Sequence, residues 1–145
     1  MVEVRSRATI TEDPHAPARP DTLGTHVWWL LTNETVDSTG IVLNVNEMPA
    51  HTAHRLHRHA HAEQAVYVVA GRGRHLTESG AIDVAAGDAI HIPAGEWHGF
   101  ANPYEEPCTI LSIYGGIGSR TDAGYELHSA PPTVAGVDDM ATKDY

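Results

Sequence analysis

The stretch "HRLHRHAHAEQAVYVVAGRG" (54–73) sets four histidines within eight residues, directly ahead of an apolar run. His57 and His59 stand two apart, and in an extended chain alternate side chains share a face, so both imidazoles point the same way. Two such donors fix two coordination positions of a metal; a stable site needs a third or fourth from a distant part of the chain. The available donor is His98 in "GDAIHIPAGEWHGFAN" (87–102), where Pro93, Gly95 and Gly99 mark a tight turn. The run His51, His54, His57, His59 and His61 also allows a plainer reading, a solvated loop that takes up metal without a built site. Neither arrangement gives His54 or His61 a firm role.

The elements that must position these side chains are short. Apolar segments fall at 27–31, 40–45, 65–71, 81–87, 89–93 and 108–116, rich in Val, Ile, Tyr and Trp and bounded by Gly, Pro, Asn and Asp. Spacing of about ten residues between turn signals predicts an all-β barrel or sandwich. No long window keeps a 3.6-residue apolar period, so helix is a minor component. A barrel of this kind would bring His98 across to His57 and His59. Within 65–71, Val66, Val68 and Ala70 share a face with Gln64 and are expected to line the interior beside the metal, with Tyr67 and Val69 on the other face.

Length and charge bound the function. The 145 residues, 41% hydrophobic, make one domain. Residues 1–22 read as an N-terminal arm, 23–130 as the barrel and 131–145 as a polar tail. A formal charge of −10 repels phosphate backbones and anionic lipid surfaces, so neither nucleic acid nor membrane is expected as a partner. The single Cys108 forms no intrachain disulfide, and the N-terminus lacks the apolar run of a secretory signal, from which a cytoplasmic location is expected. The alternating Val and Ile positions of "MVEVRSRATI" fit an added strand that covers a sheet edge of a partner, and a homodimer is expected.

The two histidine-bearing stretches resemble the cupins. The family's second motif, Gly, five residues, Pro-x-Gly, two residues, His, three residues, Asn, is met by Gly87, Pro93, Gly95, His98 and Asn102. Its first motif is met by His57, His59 and Gly71; His51 stands where the motif opens on Gly. At the acidic position Gln64 keeps the spacing to Gly71, whereas Glu63 keeps the alternative spacing from His59, and both remain open as the fourth ligand. The resemblance implies a single cupin jelly-roll β-barrel holding one divalent transition metal through His57, His59, Gln64 and His98. An imidazole-rich site suits Fe, Ni, Mn, Cu or Zn better than Mg or Ca.

With Gln64 as ligand all four donors are neutral, and the ion keeps its full double charge. The motifs name no catalytic acid or base; His91, which alternates with Ile90 and Ile92, and Glu63 are the side chains left to weigh. Three functions follow as expectations. The first is a dioxygenase-type oxygenase acting on a small enolic, diketone or phenolic substrate chelated to the metal. The second is a non-redox Lewis-acid lyase, isomerase or polyketide-type cyclase, and the third a non-catalytic small-ligand-binding cupin. Arg55, Arg72 and Arg74 are expected to pair with surface acids, Cys108 and Trp97 to pack, and His15, His26, His75 and His128 to lie at the surface or in hydrogen bonds.

Overall fold

The computed structural model describes residues 1–14, 16 and 24–129. The expected tail at 131–145 and most of the second half of the expected arm lie outside the described residues. Among the described residues, ten strands form two antiparallel five-stranded sheets. They are β1 (His26–Leu31), β2 (Ile41–Met48), β3 (Thr52–His59), β4 (Glu63–Ala70), β5 (Arg72–Thr77), β6 (Gly80–Ala85), β7 (Ala89–Ile92), β8 (His98–Asn102), β9 (Cys108–Gly115) and β10 (Tyr125–Leu127). One sheet runs β1-β2-β9-β4-β7 and the other β10-β3-β8-β5-β6. The all-β jelly-roll expectation holds, and the six apolar segments all fall on strands.

Helix among the described residues is short, with α1 (Asn33–Val36) capped by the Thr32 side chain and a 3₁₀ turn at Arg120–Ala123. No helix of the described residues is long and apolar enough to cross a membrane.

Period-two alternation makes the barrel. In β2 and β9 every second residue is buried, and Val42, Met48, Cys108 and Ile110 turn inward from those two strands. Val66, Val68, Ile92 and Phe100 meet Met48, Cys108 and Ile110 in one core cluster. Ala70 departs from the expectation: the β4–β9 register shifts between Val68 and Ala70, which changes the parity and leaves Ala70 exposed.

The arm also departs. Residues 1–14 contain no strand; Thr9 and Ile10 donate backbone hydrogen bonds to the Ser6 carbonyl, and the Thr9 hydroxyl bonds the same oxygen. Such local side-chain bonding competes with strand pairing. The arm instead lies on its own barrel, with Arg7 over Trp28 and paired with Glu47, and Asp13 buried against Arg120.

Candidate metal centre

The three motif histidines converge because of a flaw in the β3–β8 ladder. The register shifts between His54 and His57, after which His57 stands opposite His98. Gly99, next to His98, lies so close to this irregularity that a Cβ there would sit 2.6 Å from the His54 carbonyl oxygen. Gly99 therefore belongs to β8 and serves close strand approach; it is not part of the turn. We expect Gly99→Ala to lower stability by about 1–3 kcal/mol, as overpacking does, and to weaken metal uptake with it. Thermal melts and metal content of the variant check this.

The turn itself is held by Gly95, whose φ of +80° is open to glycine and whose N–H donates to the His59 carbonyl at 2.8 Å. Asn102, fully buried, fastens the far end by donating to the carbonyls of Met48, Pro49 and Glu106. His51 stands where the motif has Gly and adopts the left-handed backbone that a glycine would supply, with φ of +59°.

Ring centroids are 5.0 Å apart for His57 and His59, 4.4 Å for His57 and His98, and 5.4 Å for His59 and His98. Their ligand atoms all lie within 4.8 Å of one another, and all three residues are buried. His57 Nδ1 is 2.6 Å from the Arg55 carbonyl oxygen and His98 Nδ1 is 2.8 Å from that of Glu96. A carbonyl only accepts, so each Nδ1 carries the proton and each Nε2 presents a lone pair inward.

Burial, with His98 and His59 adding to it, holds the His57 pKa well below its ordinary value. Burial and then His98 bring His59 down to about 4. Burial lowers His98 as well, against the opposing effect of its bond to Glu96. The three rings are neutral donors at neutral pH.

Gln64 reaches the site from the facing sheet. It is buried, on the inward parity of β4 with Val66 and Val68. Glu63 has the opposite parity and lies exposed on the outer face, paired with His91 at 2.7 Å. That placement removes both Glu63 and His91 from the interior, so neither meets the expectation of a ligand or catalyst there.

Among the described residues, four buried side-chain polar atoms have no hydrogen-bond partner: His59 Nδ1 and Nε2, Gln64 Oε1 and His98 Nε2. Buried polar atoms are nearly always satisfied, so His98 Nε2, Gln64 Oε1 and the unprotonated nitrogen of His59 call for a partner that accepts lone pairs. A small chamber of about 30 Å³, lined among others by His57, Gln64, His75 and His98, has room for a water or an ion. The donor chemistry fits a borderline transition metal.

Beyond the histidines opens a cavity of about 620 Å³, lined by Val27, Trp29, Asn44, Asn46, His54, His57, His59, Tyr114, Arg120, Thr121, Gly124 and Tyr125. Tyr114 meets His59 edge-on at 5.1 Å, and Tyr125 stacks on His57 at 5.3 Å. Burial raises the Tyr114 pKa to about 12 even though its bond to Asn44 opposes this, which keeps its hydroxyl protonated. His54 lines the cavity too, 2.9 Å from the Thr25 hydroxyl.

Sequence reasoning missed several of these side chains. His75, expected at the surface or in a hydrogen bond, is buried in β5 with its ring 6.5 Å from His98, and burial and then His98 bring its pKa to about 4. Asn44 and Asn46 alternate with Leu43 and Val45, a signal of polar residues on the inward face that was there to be read.

The remaining residues take plainer places. Arg72 pairs with Glu106, and Arg74 with Asp83. Trp97 packs on Arg58 and His128. Cys108 is fully buried, with burial raising its thiol pKa to about 11. His61 is an exposed residue, beside Gly124.

The family described as "Cupin domain" matches residues 44–114, which span β2 to β9. No curated protein matches the chain. Among solved structures, the polyketide cyclase RemF from Streptomyces resistomycificus is similar at 23% identity and a TM-score of 0.69, covering 79% of this chain and 80% of its own. A cupin 2 conserved barrel domain protein from Rhodopseudomonas palustris is similar at 21% identity and a TM-score of 0.67, covering 88% of each chain. A predicted oxalate decarboxylase from Thermotoga maritima is similar at 19% identity and a TM-score of 0.69, covering 79% of this chain and all of its own.

Proposed function

This protein is a small cupin, and on that premise we propose that it is a metal-dependent, non-redox enzyme that promotes enolisation, and so cyclisation or isomerisation, of a small multiply oxygenated substrate. One observation carries the reading: among the described residues, neither the inner chamber nor the cavity beyond it is lined by a carboxylate. His57, His59, His98 and Gln64 are the residues that would hold the metal. A divalent ion in so neutral a set keeps its full charge and would supply Lewis acidity towards a substrate oxygen.

The chain's own side chains do the rest: the proton lost on enolisation would pass to His54, the cavity-lining imidazole outside the three-histidine group. Asn46 donates to Asn44, and Asn44 hydrogen-bonds Tyr114, which makes a polar row along one wall of the cavity. That row can hold substrate oxygens, with the protonated Tyr114 hydroxyl beside His59 as a donor. Trp29, Val27 and Tyr125 offer flat and apolar surface to a planar ring system. Val66, Ile92, Phe100 and Ile110 form the apolar part of the inner chamber's wall and would keep bulk water from it. Likeness to a polyketide cyclase at 23% identity carries the fold alone, so the substrate class is argued from the cavity.

The dioxygenase expectation stands as a second reading, favoured by the same apolar walls, which would shield reactive oxygen chemistry. Deuterium exchange into the acyl methyl group of phenolic ketones, such as 2,4-dihydroxyacetophenone, separates the two. Metal-dependent exchange without oxygen supports the proposal. Oxygen consumption without exchange favours the dioxygenase, and neither activity over a panel of such ketones contradicts both.

The polar row makes its own prediction. Asn46→Leu is expected to weaken binding of the same ketone about tenfold, the loss of one hydrogen bond, with metal content unchanged. Quenching of tryptophan fluorescence on titration measures it.

A further inference from the structure

The cavity beyond the histidines holds one side chain that neither the metal nor the polar row uses. Among the described residues that line it, Arg120 is the one with a permanent charge. Arg120 opens the 3₁₀ turn between β9 and β10, where the Ser119 hydroxyl accepts from the Thr121 N–H and Gly124 closes the turn with φ of +71°. Thr121 and Gly124 line the cavity too, so this turn serves as one of its walls. Elsewhere the chain's charge of −10 repels an anion that approaches from solvent.

The guanidinium is held in place by the N-terminal arm. Asp13, whose side chain is 6% exposed, accepts from Arg120 Nη1 at 3.1 Å and from the Trp29 indole N–H at 3.3 Å. The Asp13 backbone N–H donates to the Val27 carbonyl, which fastens that carboxylate to β1. The guanidinium carbon stands 5.3 Å from the centre of the Trp29 ring. A guanidinium has donors on all three nitrogens, so one carboxylate leaves others for a second. Among the described residues no hydrogen bond engages Nε or Nη2, and the side chain is 42% exposed.

The surroundings give that open edge a direction. A second cavity, of about 520 Å³ between the arm and α1, shares Trp29 and Arg120 with the first. Glu12, Asp13 and Glu34 line it, and their carboxylates repel an anion. The metal-side cavity has no carboxylate among its described lining residues. An anion that pairs with Arg120 is therefore taken from the metal side.

The geometry points to Arg120 as the residue that selects the substrate, by binding a carboxylate on the part of the molecule remote from the metal. The inference rests on the enolising site proposed above and deepens it: the substrate is a multiply oxygenated acid, with its carbonyl at the metal and its carboxylate on Arg120. A cavity of about 620 Å³ lies in the range that encloses a small ligand engaged at both ends. Binding at the remote end holds the reacting carbonyl in position.

Isothermal titration calorimetry of the full chain with 4-acetyl-3-hydroxybenzoate and with its methyl ester tests the inference. Wild type should bind the acid at least ~10-fold more tightly than the ester, as a charge-assisted hydrogen bond at a part-exposed site provides. Arg120→Gln should bring the two within about twofold by weakening the acid alone, and Arg120→Lys, which keeps the charge without the fork, should fall between. Ester affinity and metal content should stay at the wild-type level in both variants. A role confined to fastening the arm would weaken acid and ester alike, and that result overturns the inference. So does equal binding of the two by wild type, an acid preference that survives Arg120→Gln, or no binding of either at ~1 mM. Deuterium exchange into the ester's acyl methyl group reads the enolisation proposal separately. Exchange with no acid preference removes this inference and leaves that proposal standing; an acid preference lost in Arg120→Gln, with no exchange, does the reverse.

Discussion

His98→Ala and His57→Ala should each purify without stoichiometric metal, while His54→Ala and His61→Ala keep it. The first pair removes rings whose Nε2 atoms face the cluster. Losing only a supporting partner of a metal ligand weakens binding about 10–100-fold, so losing a ligand should cost at least ~100-fold. His54 touches the cavity and Thr25 but lies outside the three-histidine group, and His61 is exposed. Competition with a chromophoric chelator, run on all four variants, measures the difference. Metal loss in His61→Ala would mean that the wrong faces of the 54–61 stretch have been assigned.

Acid should release the metal and unfold the metal-free protein over one window. His59 and His75 are held at about 4, against 6.5 for an unperturbed imidazole, and His57 and His98 are lowered in the same direction. Between those values the unfolded chain binds more protons than the folded one, so stability is present above about pH 6.5 and is lost as pH falls towards 4. At about 1.4 kcal/mol per unit, His59 and His75 each contribute at most ~3.5 kcal/mol, less where neighbouring rings share the penalty. That is a large part of the 5–15 kcal/mol typical of a domain. Bound metal competes with the same protons, so its release should track the same window. Urea melts of chelator-treated protein at pH 7.5, 6 and 5 check the sign: the midpoint should fall with pH. A flat profile would mean that the rings are hydrated and protonate freely in the folded state.

The sequence disclosed the fold best where inward positions are apolar. Val42, Val66, Val68 and Ile110 mark their strands because alternation exposes them as core residues. β3, β5 and β8 are less visible, since their inward positions include His57, His59, Gly73, His75 and His98, which look polar or featureless in a linear reading.

The same contrast governs the site. Motif spacing singled out His57, His59 and His98, and left Gln64 and Glu63 open; strand parity separates them, since only one of two neighbours can face inward. His75 escaped because nothing local ties it to His98, which β5 meets only through the β5–β8 ladder. The arm misled because its alternating apolar residues suggested a strand, where Ser6 and Thr9 bond locally and turn the chain. Arg7 and Asp13 then fasten it to this barrel.

Elemental analysis of untagged protein, purified without chelator or nickel resin, tests the central claim most directly. The converging His57, His59 and His98, with the unpartnered Gln64 Oε1 beside them, predict close to one equivalent of a transition metal per chain. Zinc or nickel there would suit Lewis-acid chemistry, and iron would turn attention to oxygen uptake. A chain that holds no metal as purified and takes up none on reconstitution would contradict the account, leaving a barrel that binds its ligand through Asn44, Asn46 and Tyr114 alone.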